Sequence, residues 1–238
     1  MLRITLLSGE ELASLPLSEQ SDVKELKKRL QQQYGLPPRF RQRLLHEGSV
    51  VDEVASLDSL RDLQVLILPF AETSQRHRKM LMDAACNGWA KAEVEALLQL
   101  PMDPDARTGA DDRSPLMWAS LFGYVDVALL LLEAGAQADW CDHDGDTALM
   151  YAATNGHAQV VKLLLEAGAQ KDLRSKDGWT ALMHAAWNGD PQVAQLLLEA
   201  GANKDLSDSR GHTPLMLATE AGHNEVRQLL LSEGGPSP

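Results

Sequence analysis

The sequence predicts a multidomain chain, with an α+β domain over residues 1–70 and an all-α solenoid of five helical repeats over residues 74–235. Two observations predict it. In the second part, glycines, leucines and hydroxyl side chains recur every 33 residues, the mark of a stacked repeat array. In the first part, apolar residues alternate in strand fashion on either side of one stretch with helical spacing.

The repeat is carried by four independent columns. Gly123, Gly156, Gly189 and Gly222 stand 33 residues apart, as do Gly135, Gly168, Gly201 and Gly234. Leu116, Leu149, Leu182 and Leu215 keep the same step, and so do Ser114, Thr147, Thr180 and Thr213. Each unit reads as two short helices and a turn. Thr147 is placed to cap a first helix that begins Ala148-Leu149-Met150. Asn155-Gly156-His157 stops it, because glycine accepts the left-handed conformation that follows many helices. A second helix over Ala158–Ala167 offers Val160, Val161, Leu163, Leu164 and Leu165 as its apolar face. The polar stretch from Gln170 to Gly178 is the turn to the next copy. Small pairs such as Ala152-Ala153 and Ala185-Ala186 let neighbouring helices approach. No unit can bury its own apolar face, so stacking is what stabilises the array.

Thr147-Ala148-Leu149, Thr180-Ala181-Leu182 and Thr213-Pro214-Leu215, with the Gly-His or Gly-Asp steps and Leu-Leu-Leu-Glu-Ala-Gly-Ala segments beyond them, resemble the ankyrin repeat. Copies 140–172, 173–205 and 206–235 match closely. Copy 107–139 has Asp112 where the turn glycine belongs and Ser114-Pro115-Leu116 for the threonine motif. Copy 74–106 is degenerate, as expected of a capping repeat, and carries two extra residues near Trp89–Glu93. Residues 236–238 are expected to be a disordered tail.

In the first part, Leu2, Ile4 and Leu6 alternate, Ser8-Gly9 turns the chain, and Leu15 and Leu17 follow in a second alternating run. Ser21 or Asp22 caps a helix with Val23, Leu26, Lys27 and Leu30 on one stripe. Gly35-Leu36-Pro37-Pro38 ends it, since prolines cannot continue a helix. Apolar runs at Arg43-Leu44-Leu45 and Leu63–Leu68 supply two more strands. The order is similar to a β-grasp fold, and the Gly-Leu-Pro-Pro and Gln42-Arg43-Leu44-Leu45 segments resemble ubiquitin-like domains. Against ubiquitin there is one extra residue between Pro38 and Gln42. No Arg-Gly-Gly tail follows Leu68-Pro69-Phe70, which argues against conjugation. Residues 71–73 form a short linker without Gly or Pro.

The chain has 238 residues, 44% hydrophobic and 24% charged, an ordinary globular balance. Its formal net charge is −12. Residues 1–72 carry nine Lys/Arg against eleven Asp/Glu, so the remainder holds −10 of it. Such a surface repels phosphate backbones and anionic membranes, so no nucleic acid and no membrane is expected, and a basic or mixed-charge protein partner is. The opening Met1–Leu7 breaks at Ser8-Gly9-Glu10-Glu11, too soon for a signal-peptide hydrophobic stretch. With only Cys86 and Cys141, a reducing cytoplasmic or nuclear setting is expected.

The ankyrin resemblance implies a binding surface on the turn tips and the exposed side of the first helices. On the first helices it points to Trp118, Leu121, Phe122, Tyr151, Thr154, Asn155, His184, Trp187, Asn188, Leu217 and Glu220. At the tips it points to Arg113, His143, Asp144, Asp146, Lys176, Asp177, Trp179, Arg210 and His212. Aromatic residues are only 5% of the chain, and their concentration on a face that need not be buried suits binding hot spots. The competing reading is that they stack across repeats and stabilise the array. Trp140 shares a column with Leu173 and Leu206 and is expected under the turn. The ubiquitin-like resemblance points to Leu45, Leu66 and Leu68 as an exposed apolar patch. Either a second protein or the first repeat helix, with Met80 and Met82, would cover it.

Catalysis finds no support. Cys141-Asp142-His143-Asp144-Gly145-Asp146 lacks the ligand spacing of a calcium loop or a zinc site, and the repeat register explains it as turn. No nucleophile motif surrounds either cysteine, and no phosphate loop is present. The sequence therefore predicts no enzyme, no metal, no cofactor and no small-molecule substrate. It predicts an adaptor that binds a client protein through the repeats and a second partner, among ubiquitin-system components, through the first domain. A scaffold or inhibitor using both parts on one partner is the alternative.

Overall fold

The computed structural model describes residues 2–15, 22–53, 55, 57, 60, 62–68, 75–100, 102–107 and 112–232. The chain divides into two compact units. One comprises residues 1–73 with 95–103 and 133–135, and the other takes the rest. The expected linker, Leu17, Ser21, Gly234 and the tail lie outside the described residues.

The first unit contains strands β1 (Leu2–Leu6) and β2 (Glu11–Leu15), helix α1 (Val23–Tyr34) and a 3-10 turn at Arg39–Arg41. Strands β3 (Gln42–His46), β4 (Ser49–Val50) and β5 (Asp62–Ile67) follow. The sheet order is β2-β1-β5-β3-β4. β1 and β5 run parallel, and the other pairs are antiparallel. The sequence predicts four strands; β4, with two residues, is too short to show a period. Alternation sets the faces: Leu2, Ile4, Leu63 and Val65 are buried, while Arg3 and Gln64 are exposed. Val23, Leu26 and Leu30 of α1 close over them to complete one core. The cap is Asp22, whose carboxylate accepts the Glu25 N–H at 2.8 Å, and Gly35 ends the helix at φ 66°. The arrangement is consistent with the ubiquitin-like reading.

Two cations are buried in this unit. Lys27 donates to Glu53 at 2.6 Å, which explains a lysine on the apolar stripe. Arg39, with a side chain 0% exposed, lies over the Phe40 ring at 3.9 Å and pairs with Glu53, Glu95 and Glu133, each at 2.8 Å. All three carboxylates belong to the same unit. A buried charge is tolerated only when its donors and its charge are answered in this way.

From residue 75 the described chain forms five successive helix pairs. They are α2 (Gln75–Asn87) with α3 (Lys91–Leu98), α4 (Pro115–Phe122) with α5 (Val125–Glu133), and α6 (Ala148–Thr154) with α7 (Ala158–Glu166). Then come α8 (Ala181–Asn188) with α9 (Pro191–Glu199), and α10 (Pro214–Glu220) with α11 (Asn224–Ser232). Ser114, Thr147, Thr180 and Thr213 each cap a first helix by accepting the N–H three residues on, at 3.3–3.4 Å. Leu116, Leu149 and Leu182 are buried. Of the five apolar residues expected on the face of α7, only Val160, Val161 and Leu164 are buried, and Leu163 and Leu165 are half-covered. Buried Val94, Leu97 and Leu98 stand one full repeat step before buried Val127, Leu130 and Leu131. The two extra residues of the first copy therefore fall between Gly88 and Val94, inside the expected window.

Polar ladders join neighbouring repeats. Asp139 accepts the Gln170 N–H and Asp172 the Asn203 N–H, both at 2.8 Å. At the tips, the Lys176 N–H donates to the Asp144 carbonyl at 2.8 Å, and the Ser209 N–H to the Asp177 carbonyl at 2.9 Å. Gly145, Gly178 and Gly211 hold these tips in the left-handed region, at φ 82–87°. Asp112 adopts the same conformation at φ 55°, a departure that aspartate tolerates better than most residues.

Candidate protein-binding surface

Three columns of side chains, each stepping by one repeat, line the tips and first helices. Arg113, Asp146, Trp179 and His212 precede the helix caps. Trp118, Tyr151, His184 and Leu217 lie on the first helices, with Leu121, Thr154, Trp187 and Glu220 three residues on. The register of the repeat thus gathers most of the residues expected to bind.

Asp142 organises the tip before α6. One carboxylate oxygen accepts the N–H groups of Asp144 and Asp146, at 2.9 and 3.0 Å. The other accepts the Tyr151 hydroxyl and faces Arg113 Nε at 3.4 Å. Burial alone would raise this carboxyl; the bonds from Tyr151 and the two backbone N–H groups hold it below the usual range. The Arg113 guanidinium lies 5.1 Å from the Trp118 ring and 4.9 Å from the Tyr151 ring. Arg113 and Tyr151, expected as open contact residues, are half-buried and both engage Asp142. Burial and the bond to Asp142 raise the Tyr151 phenol.

Among the described residues of the first helices, open aromatic surface remains at two places. Phe122 is 45% exposed and lies nearly parallel to half-buried Trp118, at 5.9 Å. Trp187 is 43% exposed and meets half-buried Trp179 edge-on, at 6.2 Å. Leu121 is half-buried, while Thr154, His143, Lys176 and Arg210 are exposed. Trp140 departs from its expected place under the turn: it is 45% exposed, with the Arg107 guanidinium 4.1 Å over its ring. The arginine takes the role of an apolar cover.

His184 is mostly buried rather than open, against Trp179 at 4.9 Å. Among the described residues its Nε2 has no hydrogen-bond partner, and the Asp146 Oδ1 carboxylate oxygen is 3.9 Å away. Burial pushes the His184 imidazole down to about 4. Burial, then the charges of Asp142 and Asp144, push the Asp146 carboxyl up to about 6. Sequence reasoning places both residues on this face without revealing that each is held in its less favoured environment; the acidic run Asp142–Asp146 is the available signal.

On the first unit, Leu45 lies opposite Gln64 and Leu66 opposite Arg43 in the ladder, which puts the two leucines on the same outer face. Leu68 follows the strand, its N–H bonded to the Arg41 carbonyl at 2.8 Å. All three are half-buried. Cys86 and Cys141 are free thiols. Among the described residues no group of His, Cys, Asp or Glu could hold a metal ion, and no helix is long and apolar enough to cross a membrane.

A family model described as ankyrin repeats matches the chain in three copies, over residues 53–140, 134–208 and 167–237. A search of curated proteins gives no match.

Proposed function

Because the chain belongs to the ankyrin-repeat family, a family of protein-interaction modules, we propose that it is an adaptor that holds two proteins together. Five ankyrin repeats, the first a degenerate cap, bind a client across the tips and first helices. A ubiquitin-like β-grasp domain over residues 1–70 docks the second partner, a component of the ubiquitin system, through the face that carries Leu45 and Leu66. The observation that supports this most is the pair of open aromatics, Phe122 and Trp187, 45% and 43% exposed on the first helices of their repeats. Exposed aromatics held in a rigid frame lose little entropy on binding. The acidity of the repeats favours a client of basic or mixed charge, whose association slows as salt is added.

The test is affinity capture by the full chain and two variants, Trp187→Ala with Phe122→Ala, and Leu45→Ser with Leu66→Ser. Each pair is expected to lose a different set of captured proteins while helical content stays at the parental level. Loss of one and the same set by both variants would favour a scaffold acting on a single partner. Unchanged capture by both would remove the adaptor reading.

A further inference from the structure

One recess on the proposed client face has walls whose chemistry specifies an occupant. It lies between the tips of repeats 173–205 and 206–235 and measures about 300 Å³. Trp179 and Trp187 form one wall, with ring planes at 73°. Leu217, buried, supplies an apolar floor. Asp177 and Glu220 line the recess, are exposed, and have no ion-pair partner among the described residues. Asp208 is buried beneath the tip, but its charge is committed. Oδ1 accepts the N–H groups of Arg210 and His212, both at 2.8 Å, and Oδ2 faces His212 Nδ1 at 3.1 Å. Arg210 is the one cation in the lining, and its side chain is exposed.

Two features select among ligands. Aromatic faces beside unpaired carboxylates attract a cation and repel an anion. A planar guanidinium also stacks on a ring while its N–H fork reaches a carboxylate, which an ammonium does less well. We propose that this recess receives an arginine side chain from a basic segment of the client, with Trp187 and Trp179 contacting the guanidinium plane and Asp177 and Glu220 taking its N–H groups. The inference rests on the reading of this face as the client-binding one. The net charge of −10 over residues 73–238 complements such a segment, and a volume of about 300 Å³ suits a side chain rather than a folded surface.

The experiment uses the full chain with fluorinated tryptophan, whose five indoles report separately, titrated with the peptide Gly-Ala-Arg-Ala-Arg-Ala-Gly. The same peptide with lysine, and with the uncharged isostere citrulline, serves for comparison. The Trp179 and Trp187 signals are expected to move saturably with the arginine peptide, while those of Trp89, Trp118 and Trp140 stay in place. The citrulline peptide is expected to bind at least tenfold more weakly, and Trp187→Leu or Glu220→Gln to weaken the arginine peptide at least about fivefold. Equal binding of the citrulline peptide, movement confined to Trp118, or no saturable shift at millimolar peptide would overturn the proposal. A lysine peptide binding as tightly as the arginine one would overturn the choice of guanidinium. The adaptor reading fails separately. If a captured client binds the Trp187→Leu, Glu220→Gln chain as tightly as the parent, the arginine site is wrong and the adaptor reading stands.

Discussion

Replacing Asp146 with asparagine is expected to stabilise the repeats at neutral pH, even though it removes a polar charge from a largely polar turn. The Asp146 carboxyl is pushed from its ordinary 3.8 to about 6, a rise of about two units. At about 1.36 kcal/mol per unit, this is a penalty of at most ~3 kcal/mol for keeping the group ionised above pH 6. The side chain is 25% exposed, and solvent screening reduces the expected gain to about 1–2 kcal/mol. The substitution preserves shape, and the backbone bonds between residues 142 and 146 do not involve the lost charge. The sign with pH follows from the direction of the shift. A carboxyl raised in the folded state holds its proton more tightly there, so the penalty is full above about pH 6 and gone below about pH 4. His184 acts oppositely. Its imidazole, pushed from 6.5 to about 4, refuses a proton that the unfolded chain accepts, so stability is lost as pH falls across the same window. In the parent the two effects oppose each other. In D146N only the histidine effect remains, and stability should fall more steeply in acid. Urea unfolding followed by circular dichroism at about pH 7.5 and pH 4.5 measures both quantities. A variant no more stable than the parent at pH 7.5, or an advantage that grows in acid, would refute the reasoning.

Three other substitutions probe the stack. Leu197→Ala removes a side chain that is fully buried and is expected to cost about 2–5 kcal/mol in the same unfolding assay, whereas Lys176→Ala should stay within about 0.5 kcal/mol. Gly178→Ala would place a methyl 3.0 Å from the Ser209 backbone nitrogen, whereas at Gly211 no described residue lies within 4 Å. Both incur the left-handed penalty of roughly 1–2 kcal/mol, so a clearly larger loss at Gly178 is expected, and equal losses would mean that the tips do not pack. Thr180→Ala removes a cap to the Met183 N–H and is expected to lower stability by about 1 kcal/mol.

The parts of the fold that repeat are the legible ones. A glycine, a capping hydroxyl and a buried leucine recurring at one fixed step leave one arrangement that satisfies all of them, and the helix pairs from Pro115 onward lie where that pattern puts them. Strand β4 is not legible because two residues carry no period. Leu163 and Leu165 depart from the expected face because leucine tolerates partial exposure, and a run of three leucines on a helix cannot all face one side. The binding surface is legible as a set of positions but not as a set of roles. Nothing local to Arg113, Tyr151 or Trp140 in sequence reveals that their partners lie in adjacent repeats, a whole repeat or more away along the chain: Arg113 faces Tyr151 and Arg107 faces Trp140. Lys27 shows the reverse. Its place on an apolar stripe is visible, and the carboxylate that makes burial tolerable, Glu53, comes from a distant loop.

The column through Arg113, Asp146, Trp179 and His212 spells a cation, an anion, an indole and an imidazole at one repeating address. Packed helices stand about 8–10 Å apart, and an extended chain advances about 3.3 Å per residue. A client lying along the column would meet a new letter every third residue. Its own sequence would then carry the complementary word at that spacing, an acid, a base and then a cation or aromatic in turn, so that the code of the partner can be sought in candidate chains as a three-residue rhythm rather than as a contiguous motif.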